Sequence, residues 1–148
     1  MQKEKIRVKK LKENAILPTY GSEFSAGADL YAVLDNDLSI APHETVFVPT
    51  GLAFEIPIGI VGLVYARSGL ACKRSLAPAN KVGVIDSDYR GEIMVVLHNH
   101  SNETQTISNG ERIAQIVFTP YVCGEFELSD NLDDTERGSG GFGHSGKF

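Results

Sequence analysis

The stretch VFVPTGLAFEIPIGIVGLVYA, residues 46–66, is the most apolar in the chain and does most to decide what the chain can become. A helix of that length would be broken at Pro49 and Pro57, would carry Glu55 and would be loosened by several glycines, so it is no membrane span. Consecutive β-strands fit it instead. Runs of the same kind recur on both sides, separated by turn residues. KIRVKKL alternates Ile6 and Val8 with charges, as a half-exposed strand does. ADLYAVL, LSIAP, VGVI, EIMVVLHN, QTI, RIAQIVFTPYV and GEFEL follow the same logic. Only SGLACKRS reads as one short helix. The pattern predicts an all-β single domain, a sandwich or barrel, and 148 residues suffice for one sizeable core.

Composition narrows the function classes. A net charge of −5 argues against general binding of nucleic acid or anionic membranes, while leaving room for a local basic pocket. The N-terminus MQKEKIRVKKLKENA has no apolar core and is not a signal peptide. Two isolated cysteines, Cys72 and Cys123, point to a reducing, cytoplasmic compartment rather than a disulfide framework. After about residue 129 the chain turns polar and glycine-rich. The expected division is a β domain over residues 1–129 and a mobile C-terminal arm over residues 130–148.

Several stretches carry candidate chemistry. In NKVGVIDSDYRGEIMVVL, apolar runs at 82–85 and 93–97 flank a polar tip closed by Gly91, and the expected form is a β-hairpin. Its tip carries Asp86, Asp88 and Tyr89, more than a plain two-residue turn needs, although Asp is also a common turn former. In YARSGLA, Arg67 offers a bidentate fork for phosphate, Ser68 a hydroxyl, and Gly69 close backbone approach; a plain strand end with a glycine turn is the other reading. Asp29 stands in the apolar run SAGADLYA, where a carboxylate is either satisfied structurally or placed near a cation. Arg112 and Gln115 in NGERIAQIVF have opposite parity, which predicts opposite faces of a strand. HNH at 98–100 puts His98 and His100 on one face without a partnering ligand set and reads as ordinary. The closing GSGGFGHSG buries almost nothing and is either a solvated tail or a segment ordered by a ligand.

Taken in order, AGADLYA, ARSGLA, GVIDSDYRGEI, GERIAQIVF and RGSGGFGHSG resemble the five motifs of the trimeric dUTP diphosphatases (dUTPases), bacterial members especially. One departure is Ala66, where the second motif usually begins with Pro. The resemblance implies a jelly-roll homotrimer with active sites between subunits, hydrolysing dUTP to dUMP and pyrophosphate with Mg²⁺. It implies that Asp86 holds the attacking water and contacts the sugar 3′-OH, that Tyr89 packs on the deoxyribose, and that Asn80 with the backbone of Val84, Ile85 and Met94 frames uracil. Arg67, Ser68 and Gly69 would grip the phosphates, Gln115 would order the site, and Asp29 would reach Mg²⁺ through a water. In the arm, Phe142 would stack on uracil, Gly143 would let the backbone wrap the nucleotide, and Arg137 with Ser145 would hold the γ-phosphate. The rival readings are a dCTP deaminase, which resembles the same fold, a non-catalytic nucleotide sensor, and an RNA-binding Arg-Gly-Gly tail. The uninterrupted third and fifth motifs disfavour the deaminase; a single tail copy on an acidic chain disfavours RNA.

Overall fold

A computed structural model describes residues 3–142. Eleven strands and one helix follow one another as β1 (Arg7–Lys10), β2 (Thr19–Tyr20), β3 (Ala28–Tyr31), β4 (Leu38–Ile40), β5 (Thr45–Glu55), β6 (Ile60–Tyr65), α1 (Ser68–Arg74), β7 (Leu76–Pro78), β8 (Gly83–Ile85), β9 (Glu92–Asn99), β10 (Gln105–Ile107) and β11 (Arg112–Pro120). The all-β expectation holds, with SGLACKR as the short helix.

The strands form a four-stranded sheet ordered β1-β5-β9-β7, a five-stranded sheet ordered β2-β3-β11-β6-β8, and the pair β10-β4. Every pairing is antiparallel. Burial alternates residue by residue along β6 and β9, so each sheet turns one face inward. Leu30, Ile40, Val48, Leu52, Phe54, Leu76, Ile93, Leu97, Ile107, Ile113 and Ile116 fill the core between them. The apolar stretch that dominates the sequence becomes β5 and β6. β5 bends where Gly51 takes a φ of +66°, and its register with β9 shifts between Pro49 and Ala53. A methyl at Gly51 would also lie 2.9 Å from Ala15 Cβ, so only glycine suits the bend.

HNH resolves into a structural answer. Asn99, not either histidine, is the buried member. Its Nδ2 donates to the carbonyls of Ile40, Ala41 and Glu103, and its Oδ1 accepts from the Ser101 N–H and hydroxyl. A fully bonded amide is the condition for burying it.

Three expectations need correction. The run GEFEL forms no strand: regular structure among the described residues ends at Pro120, and Phe126 and Leu128 stand almost wholly exposed. Alternation alone does not supply a neighbouring strand to pair with. The runs flanking Asp86 do not make a hairpin either. β8 pairs with β6 in the five-stranded sheet, whereas β9 pairs with β5 and β7 in the four-stranded one, so residues 86–91 cross from sheet to sheet. Finally, Arg112 and Gln115 do not face opposite sides, for the reason given next.

Candidate active site

Register across the five-stranded sheet assembles the first cluster. Asp29 on β3 lies opposite Gln115 on β11, and Gln115 lies opposite Tyr65 on β6. With strands about 4.8 Å apart, three stretches distant in sequence share one row. β11 pairs Arg112 with Tyr31 but Ala114 with Leu30, which leaves Ile113 as an extra residue. Ile113 and Ala114 are both buried in succession, the mark of a β-bulge. The bulge reverses the parity, and Arg112 comes round to the face that carries Asp29 and Gln115.

Asp29 is buried, 8% exposed, and both carboxylate oxygens are engaged. Arg67 Nε donates to Oδ1 at 2.7 Å and an Arg112 guanidinium nitrogen donates to Oδ2 at 3.2 Å. Two cations therefore share one anion, and the cluster keeps a net positive charge facing a cleft of about 410 Å³. The cleft is lined by Asp29, Arg67, Ser68, Gly69, Arg112 and Gln115, together with Tyr65 and residues between Gly21 and Gly27. Gln115 Nε2 donates to the Ala66 carbonyl at 2.9 Å, and Oε1 occupies the space left by the missing side chain of Gly27, where a Cβ would lie 2.4 Å from it. α1 begins directly after Arg67, whose extended backbone (φ −88°, ψ 132°) makes it the N-cap without a capping side chain. Ser68 and Gly69 are exposed in its first turn, and a Cβ at Gly69 would meet open space.

The second cluster sits on the crossing between sheets. Tyr89 folds back over Gly91, whose missing side chain leaves room for the ring: a Cβ there would lie 2.3 Å from the hydroxyl. The hydroxyl donates to the Glu92 carbonyl at 3.0 Å. Arg90 donates to the carbonyls of Ser87 and Tyr89, and the Tyr89 N–H bonds the Asp86 carbonyl, so the turn is tied internally. Asp86 itself is exposed at its start. Asn80 packs its amide 3.1 Å from where a Cβ of Gly83 would stand, while Val84 points outward on β8. Ile85 and Met94 are half-buried on the two strands that leave the turn.

The fold keeps the two clusters apart within one chain. Ile85 pairs with Gly62, and β6 runs from there away from Asp86 toward Arg67. Five residues of extended chain separate Gly62 from Arg67, about 17 Å at about 3.3 Å per residue. Asp86 and Arg67 thus mark opposite ends of β6. The arm adds a third, separate group. Arg137 Nε donates to the Gly140 carbonyl at 2.8 Å, and Phe142 is fully exposed, far along the chain from the last strand. Gly143 and Ser145 lie outside the described residues.

Arg112 was the member of the site that parity had put on the wrong face, since no residue in GERIAQ announces a bulge. Among the described residues no group of three or more His, Cys, Asp or Glu could hold a metal ion. No helix among them is long and apolar enough to cross a membrane.

The chain resembles known proteins over most of its length. The dUTPase family model matches residues 13–146. The chain is 55% identical over 131 residues to the deoxyuridine 5′-triphosphate nucleotidohydrolase of Desulfitobacterium hafniense, covering 88% of this chain and 87% of that protein. It is 48% identical over 144 residues to the protein of the same name from Photorhabdus laumondii, covering 97% and 95%. Among solved structures, the dUTPase of Staphylococcus bacteriophage 80alpha, a G164S mutant with dUpNHpp, superposes with a TM-score of 0.88 at 27% identity, covering 97% of this chain and 99% of that one.

Proposed function

The chain belongs to the dUTPase family and its activity is hydrolysis of dUTP; from that premise we propose that it releases dUMP and pyrophosphate at composite sites between the protomers of a homotrimer. The observation that carries the composite site is the separation of its halves. A triphosphate held at Arg67 lies about 17 Å of strand beyond Gly62, the partner of Ile85, too far to present its α-phosphorus to Asp86 of the same chain, and we place Asp86 of another copy against it. That the phage 80alpha relative was solved with dUpNHpp supports a nucleotide as the ligand of this chain.

In this mechanism Asp86 holds a water in line with the α-phosphorus and takes its proton as the new P–O bond forms. The bond from phosphorus to the bridging oxygen breaks, and pyrophosphate leaves. Arg67, Arg112, the Ser68 hydroxyl and the Gln115 amide hold the charge that shifts onto the leaving phosphates. Tyr89, fixed by Gly91 and the Glu92 carbonyl, closes the sugar side against a 2′-OH, and Asn80 with the backbone at Val84, Ile85 and Met94 reads the uracil edge. Arg137 and Phe142 come from the arm, which closes on bound triphosphate from about residue 130 onward. The site is that of a cytoplasmic enzyme with dUTP as its partner and neither nucleic acid nor membrane among its ligands.

Mg²⁺ fits the donors present in one way. Asp29 accepts one N–H at each oxygen and retains about two lone-pair sites for the water of a hydrated ion. No cluster among the described residues would hold the ion alone, so it would be held together with the substrate's phosphates, where it would supply charge neutralisation.

A panel of dUTP, UTP, dTTP and dCTP scored for pyrophosphate and for ammonia tests the reaction; release of ammonia from dCTP would move the chain to the deaminases. Asp86→Asn is expected to cost about 10²–10⁴-fold in turnover, and retention of half the activity would remove Asp86 as base. Mixing inactive Asp86→Asn with inactive Arg67→Ala under subunit exchange should regenerate some intact sites. If no activity returns although mixed trimers form, the sites are not shared between chains.

A further inference from the structure

We propose that Arg74 is a positioning residue for the phosphate side of the site, a strut that aligns α1 with the start of β11; the proposal rests on Arg67, Ser68 and Gly69 being the phosphate-binding group. α1 has seven residues and one buried apolar anchor, Leu70. A helix that short has no stability of its own and takes its orientation from tertiary contacts. At its C-terminal end the Arg74 guanidinium spreads over three partners on another part of the fold. Nε donates to Gln105 Oε1 at 3.2 Å, and the two terminal nitrogens donate to the Thr106 carbonyl and the Glu111 carboxylate.

Glu111 is itself fixed. Its second carboxylate oxygen accepts the Ser108 N–H at 3.1 Å, and its carbonyl accepts the Ala32 N–H at 2.8 Å. The next residue is Arg112, which holds Asp29, and Asp29 holds Arg67 at the opposite end of α1. Arg74, Glu111, Arg112, Asp29 and Arg67 therefore link the two ends of the helix through the start of β11. The pair is partly shielded, with side-chain exposures of 30% and 26%. Arg74 does not line the nucleotide cleft, so its effect on the reaction runs through the placement of Ser68, Gly69 and Arg112. The three-way fork is a task for a planar guanidinium and not for an ammonium group.

The test compares Arg74→Gln, Arg74→Lys and Glu111→Gln with the wild-type enzyme, reading kcat, KM, the melting temperature, and the affinities for dUMP and a non-hydrolysable dUTP analogue. Misplacing a phosphate-binding turn by a fraction of an ångström is expected to lower kcat/KM by about tenfold or more. Analogue binding should weaken by a similar factor, while dUMP affinity stays within about twofold, because the base and sugar contacts come from Asn80, Tyr89 and the backbone at Val84, Ile85 and Met94, away from α1. Arg74→Lys should fail to rescue, and Arg74→Gln combined with Glu111→Gln should be no worse than either alone. If Arg74→Gln does not fold, Glu111→Gln carries the same comparison. A lowered melting temperature with kcat/KM and analogue affinity unchanged, measured well below that temperature, overturns the proposal and leaves a purely structural bridge. Failure of the underlying reading is distinguishable: Arg67→Ala would then leave analogue affinity intact.

Discussion

Asp29→Asn tests the electrostatic centre of the cleft, because the substitution keeps the shape of the side chain and removes its charge. Arg67 and Arg112 would then face each other without a counter-charge. Asp29 has a side-chain exposure of 12%, Arg67 of 24% and Arg112 of 52%, so the first pair is largely shielded and the second largely solvated. An ion pair at contact is worth about 4 kcal/mol at an effective dielectric constant of about 20, part of it offset by desolvation. The exposed Arg112 pair adds under about 1 kcal/mol. The sum is a loss of about 2–3 kcal/mol, or about 5–10 °C in melting temperature for a domain of this size. Scanning calorimetry with and without inorganic phosphate provides the assay. The uncompensated guanidinium groups of the variant should bind phosphate, which should stabilise the variant more than the wild type. Turnover should fall by about 10²-fold through the loosened Arg67. A melting temperature unchanged from wild type, with no differential effect of phosphate, would refute the pairing as the role of Asp29 and leave the carboxylate to the metal.

Three further outcomes follow from other contacts. Gly27→Ala places a methyl 2.4 Å from Gln115 Oε1, so Gln115 must leave its bond to the Ala66 carbonyl; kcat/KM should drop about tenfold, and the same substitution in a Gln115→Ala background should be nearly silent, with full additivity counting against the contact. The chain has no tryptophan, so Phe142→Trp reports on the arm alone: emission should change with a non-hydrolysable dUTP analogue and less with dUMP, and an identical response to both ends the closure reading. His100 titrates below its ordinary 6.5, chiefly through desolvation and then through His98, Lys81 and His43. Its neutral form is thus favoured on folding, the associated stability is fully present above pH 6.5 and is lost as the pH falls through the lowered value, and His100→Gln should flatten that acid limb in thermal melts.

Much of this protein was legible in its sequence. The long runs became β5, β6, β9 and β11 because a short apolar run rich in β-branched residues and bounded by turn residues is a local signal that a buried strand carries wherever it lies. SGLACKR became α1 next to the Arg67 that precedes it. The order of the motifs pointed to the family. The two-residue β2 and three-residue β7 were too short to leave a pattern, and GEFEL left one without acquiring a partner. Only the tertiary structure decided which strand meets which. It sent β8 and β9 to different sheets, turning an expected hairpin into a bridge, and it bulged β11 at Ile113 so that Arg112 joined Asp29. It also set Asp86 and Arg67 at opposite ends of β6, the separation on which the proposed composite site rests. The physical reason is common to all three: a side chain's face is encoded by its immediate neighbours, whereas register and partner are chosen by contacts between segments far apart in sequence, which compete on packing and hydrogen bonding over the whole core.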